Sequence, residues 1–262
     1  MKDQLKEWSG YRLGEKNLNN QGCLMKIVEY NNFHNITVEF QDKYKAKVIT
    51  TYNNFVNKQI KNPYHPSVCG IGIVGDKYPT KINRIHTKEY QTWRDMLKRC
   101  FDEKTKEGRP TYKNVGCCEE WLLYDNFYEW LHNQENFNKW YVGDRWHLDK
   151  DILIKGNKIY SPNTCTLVPN SVNQLFTKRD NNRGDLPIGV IRRKNKFTAQ
   201  CTTMNGHKHL GYYDTSEDAF YLGYKPYKEI IIKQTAQEEY AKGNITKVCF
   251  DAMMNYEVEI TD

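Results

Sequence analysis

Leu148–Cys165 reads LDKDILIKGNKIYSPNTC, and the reading of this stretch decides the middle of the chain. Strand alternation from the preceding residue places His147, Asp149 and Asp151 on one face and Lys150 on the other. Downstream, Ser171–Asn182 (SVNQLFTKRDNN) predicts a helix beginning near Ser171, followed by a polar linker over Thr177–Asp185. Upstream, Glu89–Cys100 sets Tyr90, Trp93, Met96, Leu97 and Cys100 on one amphipathic helical stripe. Glu119–Gln134 repeats the pattern with Leu122, Phe127, Trp130 and Leu131. At helical spacing these aromatic side chains are read as core.

Taken in order and spacing, Tyr90–Cys100 (YQTWRDMLKRC), Val115–Trp121 (VGCCEEW), Leu148–Cys165 and Ser171–Asn182 resemble a group of HNH (ββα-metal) proteins common in bacteriophages and mobile elements. The resemblance covers residues 87–183 and implies a β-hairpin followed by a helix, gripping one divalent ion, Mg2+ or Mn2+, against a scissile phosphate. It puts Asp149 at the first-strand metal ligand, Asn173 at the helix ligand, and Asn163 at the middle Asn that ties the loop together. The chain departs from the pattern at Lys150, which stands where the catalytic histidine is expected. An ordinary lysine, with a reference pKa of about 10.4, keeps its proton at neutral pH. A nearby metal and desolvation both act to lower it. Two readings of Lys150 stay open, a lowered base or a cation that contacts phosphate, with His147 as the substitute base.

A second block, Ile188–Tyr221, reads IGVIRRKNKFTAQCTTMNGHKHLGYYDTSEDAFY. Phe197, Ala199 and Cys201 alternate with Lys196, Thr198, Gln200 and Thr202, as a half-buried strand requires. Asn205-Gly206 is a hairpin turn signal. Leu210 and Tyr212 are expected to share one face of the next strand, with His207 and His209 on the other. Asp214–Glu217 opens a helix, capped by Asp214 or Thr215, which Ala219, Leu222 and Gly223 would pack on the sheet. The block is similar to the DNA-binding domain of the APETALA/ethylene-response-factor type. That resemblance implies a sheet entering the DNA major groove, with Arg193, Lys196, Thr198, Gln200, Thr202, His207 and His209 on the reading face. Lys178, Arg179 and Arg183 in the linker would track the DNA backbone, with Arg94, Lys98 and Arg99 as further phosphate contacts.

Composition agrees with such a partner. The chain has 262 residues and a formal net charge of +7. Residues 1–80, 81–185 and 186–228 each carry more Lys and Arg than Asp and Glu, while acidity collects in residues 229–262. Positive charge on successive modules suits a phosphate backbone. Aromatic residues make up 13% of the chain, so Tyr, Trp and Phe carry much of the burial. The eight cysteines form no CxxC pair, so no zinc site is expected. No signal peptide and no apolar run of roughly 20 residues is present, so the expectation is a cytoplasmic protein with reduced thiols and no membrane partner.

Three short strands are predicted near the N-terminus, at Met25–Tyr30, Ile36–Phe40 and Lys45–Thr50, with a turn at Gln41–Lys43. Pro63, Pro66 and the glycine-rich Cys69–Tyr78 end that module. The expected fold class is therefore α+β and multi-module. It comprises a small β-rich accessory module (1–80), an HNH-like ββα centre with flanking helices (81–185), and a three-stranded sheet plus helix with an acidic helical tail (186–262). The expected function is metal-dependent hydrolysis or nicking of double-stranded DNA. The alternative is a catalytically degenerate DNA-binding protein, a regulator or counter-defence factor that occupies DNA or a host nuclease. A third reading is RNA binding through the aromatic-rich surface.

Overall fold

The alternation in Leu24–Asn32 and Asn35–Phe40 buries Met25, Ile27, Ile36, Val38 and Phe40 completely, and this small core sets the first part of the fold. In the computed structural model, residues 12–177, 185–203 and 206–262 are described. Mixed α and β structure divides into two units, one through Tyr112 plus Glu119–Glu129, the other Lys113–Cys118 plus Trp130–Asp262. Several small sheets are present and, among the described residues, none closes into a barrel.

In the first unit β1 (Lys16–Leu18), β2 (Leu24–Asn32), β3 (Asn35–Phe40) and β4 (Lys47–Thr50) form an antiparallel meander in sequence order. α1 (Tyr52–Val56) closes it, with Thr51 accepting from the Asn54 amide and Phe55 inserted in the core. A two-residue hairpin, β5 (Lys81–Ile82) and β6 (Ile85–His86), leads into α2 (Lys88–Phe101). Thr87 caps α2, which buries Trp93, Met96, Leu97 and Cys100, so its predicted stripe is its packed face. Asp102 then ends α2 and caps α3 (Glu103–Gly108).

The helix expected over Glu119–Gln134 is broken. A 3-10 turn at Glu119–Leu122 precedes α4 (Tyr124–His132), because Leu123 bridges to Ile73. The Ile73 amide takes the Leu122 carbonyl, and the Ile73 carbonyl takes the Tyr124 amide. Two backbone groups needed for a continuous helix are thereby committed elsewhere.

In the second unit β7 (Gly116–Cys117) runs parallel to β9 (Ile159–Tyr160). After α5 (Phe137–Val142), β8 (Trp146–Asp149) pairs antiparallel with β10 (Thr166–Pro169), placing His147 opposite Val168 and Asp149 opposite Thr166. β10 runs straight into α6 (Asn170–Phe176), as predicted for a helix near Ser171. β11 (Val190–Arg193), β12 (Lys196–Thr203) and β13 (Gly206–Tyr213) then make a three-stranded antiparallel sheet.

A helical turn at Ser216–Asp218, capped by Thr215, continues through a wider π turn at Ala219–Tyr224 into α7 (Lys225–Ala241), followed by α8 (Lys247–Met254). The π turn changes the phase of the helix. Ala219, Phe220 and Gly223 pack inward, while Leu222, expected on the packed face, is 67% exposed. One core joins β10 and α6 to the sheet and the last helices through Val168, Val172, Val190, Ala199, Phe220, Ile232 and Met253. Gly189 is held in this core at φ +74 with the Tyr224 ring against it, where a Cβ would meet ring carbon at 1.9 Å.

Candidate nuclease-like centre and reading face

β8 ends at Asp149, and this shapes the whole centre. Asp149 Oδ1 accepts from the backbone amides of Asp151 and Ile152, at 2.9 and 2.8 Å, so its carboxylate organises the turn that follows. Burial, reinforced by the charge of Asp151, pushes the Asp149 carboxyl up to about 6.

Strand alternation stops at the same point. Lys150 does not lie opposite Asp151 on another face; its Nζ is 3.2 Å from Asp151 Oδ2. Its side chain is only 10% exposed and its ammonium lies 5.9 Å from the Tyr160 ring centroid. The residue at the expected base position is therefore held in an ion pair below the surface.

His147 is half-buried on β8, and its Nε2 is 3.3 Å from Asn170 Oδ1 in the first turn of α6. An amide oxygen only accepts, so in this contact Nε2 is the donor. Asn173 lies one turn beyond Asn170 on the same helical face and is partly exposed. The first strand and the helix thus bring His147, Asn170 and the Asn173 position to one side. Asn170 was missed by sequence reasoning; its place one turn before Asn173, directly after Pro169, is the signal that points to it.

The loop-tying role expected of Asn163 falls elsewhere. Asn163 is exposed, while Asn157 Nδ2 donates to the carbonyls of Lys150 and Ile159, both at 2.7 Å. Thr164 Oγ1 donates to the Ile159 carbonyl at 2.8 Å. Asn157 stands in the tight GNK turn, where a short amide reaches the backbone on both sides.

Among the described residues no cluster of three or more His, Cys, Asp or Glu side chains is spaced to hold a metal ion. The expected ligand pair is one carboxylate and one amide, Asp149 and Asn173. Its donors are hard oxygens, which suit Mg2+ or Mn2+. In kind, these residues fit such an ion. The nearby thiols are of the opposite character: burial pushes Cys165 and Cys249 up to about 12, so both stay protonated.

On the sheet, directly paired residues share a face. Arg193 with Lys196, Ile191 with Thr198 and Tyr212, Gln200 with His209, and Thr202 with His207 make up the face turned from the core. Arg193, Lys196, Thr202, His207 and His209 are exposed and Gln200 is half-buried. Thr202 Oγ1 and His207 Nδ1 lie 3.2 Å apart, and Lys196 is ion-paired with Asp214.

Two expectations are corrected on this face. Thr198 is 4% exposed and its hydroxyl has no hydrogen-bond partner, because the flanking Ile191 and Tyr212 cover a short side chain on the central strand. A bulge between Ala199 and Gln200 breaks the alternation expected of β13, and Gly211 adopts φ +120 there. Leu210 packs on the core, while Tyr212 is 67% exposed, 4.6 Å from the His209 ring centroid. Tyr212 is a surface aromatic that sequence reasoning assigned to the apolar side. Gly211 inside a strand pattern is the signal that marks the slip.

Lys178, Arg179 and Arg183 lie outside the described residues. Lys98, Arg99, Lys104 and Arg109 border a cleft of about 410 Å3 beside α2 and α3. Among the described residues no helix is long and apolar enough to cross a membrane.

Family models, curated proteins and solved structures give no match to this chain. The functional reading therefore rests on the site.

Proposed function

We propose that this chain binds double-stranded DNA and hydrolyses its phosphodiester bonds, with the β8–β10–α6 unit as an HNH-like centre and β11–β13 as the reading sheet. The observation that carries this reading is the continuous strand–strand–helix unit in which His147 on the first strand meets Asn170 on the first turn of the helix. Asp149 and Asn173 are the residues that would hold one Mg2+ or Mn2+. Such an ion, when bound, supplies Lewis-acid stabilisation of the charge that develops on the scissile phosphate.

The chain's own residues do the rest. The Asn170 contact keeps the proton of His147 on Nε2, so Nδ1 is the nitrogen that takes a proton from the attacking water. Asp149 fixes the turn after β8 through its two backbone hydrogen bonds. Lys150 neutralises Asp151 and is a positioning cation, not the base. Arg193, Gln200, Thr202, His207, His209 and Tyr212 face the duplex, and the cations seat the phosphates.

A second reading, DNA binding without cleavage by a regulator or counter-defence factor, is favoured by one observation. The expected base position holds Lys150, and its ammonium is committed to Asp151. Incubating the pure chain with supercoiled plasmid, with Mg2+, with Mn2+ and with chelator, separates the two. Metal-dependent nicking is expected. Intact plasmid in every lane, with a mobility shift retained, selects the second reading.

A further inference from the structure

Lys228, in the first turns of α7, is 7% exposed, yet no carboxylate or carbonyl among the described residues pairs with it. Burial lowers its affinity for its proton, and the neighbouring Cys201 thiol offers little compensation. A lysine covered to this degree, with no partner for its ammonium among the described residues, carries a desolvation cost that a bound anion would offset. It borders a groove of about 390 Å3 between α6 and the β11–β12 edge. Among the described residues no acidic side chain lines this groove, and Arg192 stands at its rim.

The remaining walls are of two kinds. Hydroxyls and amides, among them Ser171, Gln174, Thr202 and Thr203, supply neutral hydrogen-bond donors. Leu175, Leu186, Ile188 and Val190 supply apolar surface. Two cations with several neutral donors suit an anion with many acceptor oxygens, and the apolar wall suits a flat or greasy body attached to it.

We propose that this groove is a phosphoryl-binding site in which Lys228 and Arg192 hold the phosphate of a nucleotide. That phosphate belongs either to a free mononucleotide or to the backbone of a bound duplex. Gln200 and Thr202 belong both to the groove and to the reading face, so a phosphate seated here lies where that face ends. The site is independent of whether the β8–β10–α6 unit cuts.

The test is calorimetric titration of the full chain and of Lys228→Met with a 5′-mononucleotide and with a short blunt duplex. Loss of at least about tenfold in mononucleotide affinity on Lys228→Met supports the site with free nucleotide as its ligand. The same loss confined to the duplex supports it with backbone phosphate as the ligand. Equal affinities of wild type and Lys228→Met for both probes overturn the site, and so does a wild type that binds neither. A wild type that binds the mononucleotide but no duplex sinks the DNA-binding reading, and Lys228→Met in the mononucleotide titration still decides the groove. Lys228→Met should melt no lower than wild type, since it removes an unpartnered charge from a largely covered side chain at similar volume. If it melts lower, Arg192→Met at the rim is read in its place, with a severalfold loss for the same probe expected and an unchanged affinity overturning the site.

Discussion

The Lys150 ammonium sits 3.2 Å from the Asp151 carboxylate, so two residues adjacent in sequence neutralise each other beside the buried Asp149. The pair is neither fully buried nor a free surface bridge. Lys150 is covered while Asp151 is more than a third exposed. Lys150→Ala is therefore expected to destabilise the chain by about 1–2 kcal/mol, below the cost of breaking a fully buried pair. Urea denaturation at neutral pH measures it, and an unchanged midpoint would show that the pair contributes nothing.

Asp149 gives the chain a pH signature. Its folded carboxyl titrates near 6, above the usual carboxylate range, so the folded state holds the proton more tightly than the unfolded state. Toward pH 3 both states are protonated and the penalty vanishes; it grows as pH rises from about 4 and is complete above about 7, on the order of 2–3 kcal/mol. Asp149→Asn keeps an oxygen for the two backbone amides and removes the charge. With chelator present, it should be more stable than wild type at pH 8 and equal to it at pH 3. A gain that is the same at both pH values refutes this account.

The reading face makes a contrast prediction. Thr198→Val removes a buried hydroxyl without a partner, so it should stabilise by about 1 kcal/mol and leave DNA preference unchanged. Arg193→Ala, Gln200→Ala and Tyr212→Ala should leave the melting temperature nearly unchanged. Arg193→Ala and Gln200→Ala should each lose about 1–3 kcal/mol of discrimination between sequences. Binding competition between duplexes measures this. If Thr198→Val shifts preference as much as Arg193→Ala, the sheet does not read through this face.

DNA affinity itself should fall steeply between low and physiological salt, because contacts from exposed cations such as Arg193 release counterions. A flat salt response counts against a duplex partner.

Much of this was legible because local patterns and tertiary structure agree. The stripe of α2 is its buried face, and strands near the three N-terminal positions and a helix directly after Pro169 form where they are expected. The failures have one physical source, backbone events that change phase. The Leu123–Ile73 bridge splits a helix, the bulge at Gly211 turns Tyr212 outward, and the π turn after Asp218 exposes Leu222. At the candidate site, alternation ran one residue too far because β8 stops at Asp149, and that misplaced Lys150 relative to Asp151. The short β1 and α1 carry too few residues for a periodic signal; Thr51 and Phe55 set α1 through a cap and a core contact.

Catalysis separates the residues most sharply. Asp149→Ala should abolish nicking, by losing both the proposed ligand and the cap of the turn; Asn173→Ala should cripple it. His147→Ala should cost about 100-fold or more if Nδ1 takes the proton from water, whereas Asn170→Ala should cost less, since it only frees the ring to rotate. Lys150→His is the informative gain-of-function arm. It places a histidine where the HNH-like resemblance would put one, but it also strips Asp151 of its cation, so any gain comes with lower stability. Plasmid nicking measured across pH with Mg2+ and Mn2+ reads all five variants. If His147→Ala cuts as well as wild type, the base assigned here is wrong. If wild type and Lys150→His are both inert while DNA binding persists, the centre is a nuclease frame retained for binding, and the Lys150–Asp151 pair is not what stops it cutting.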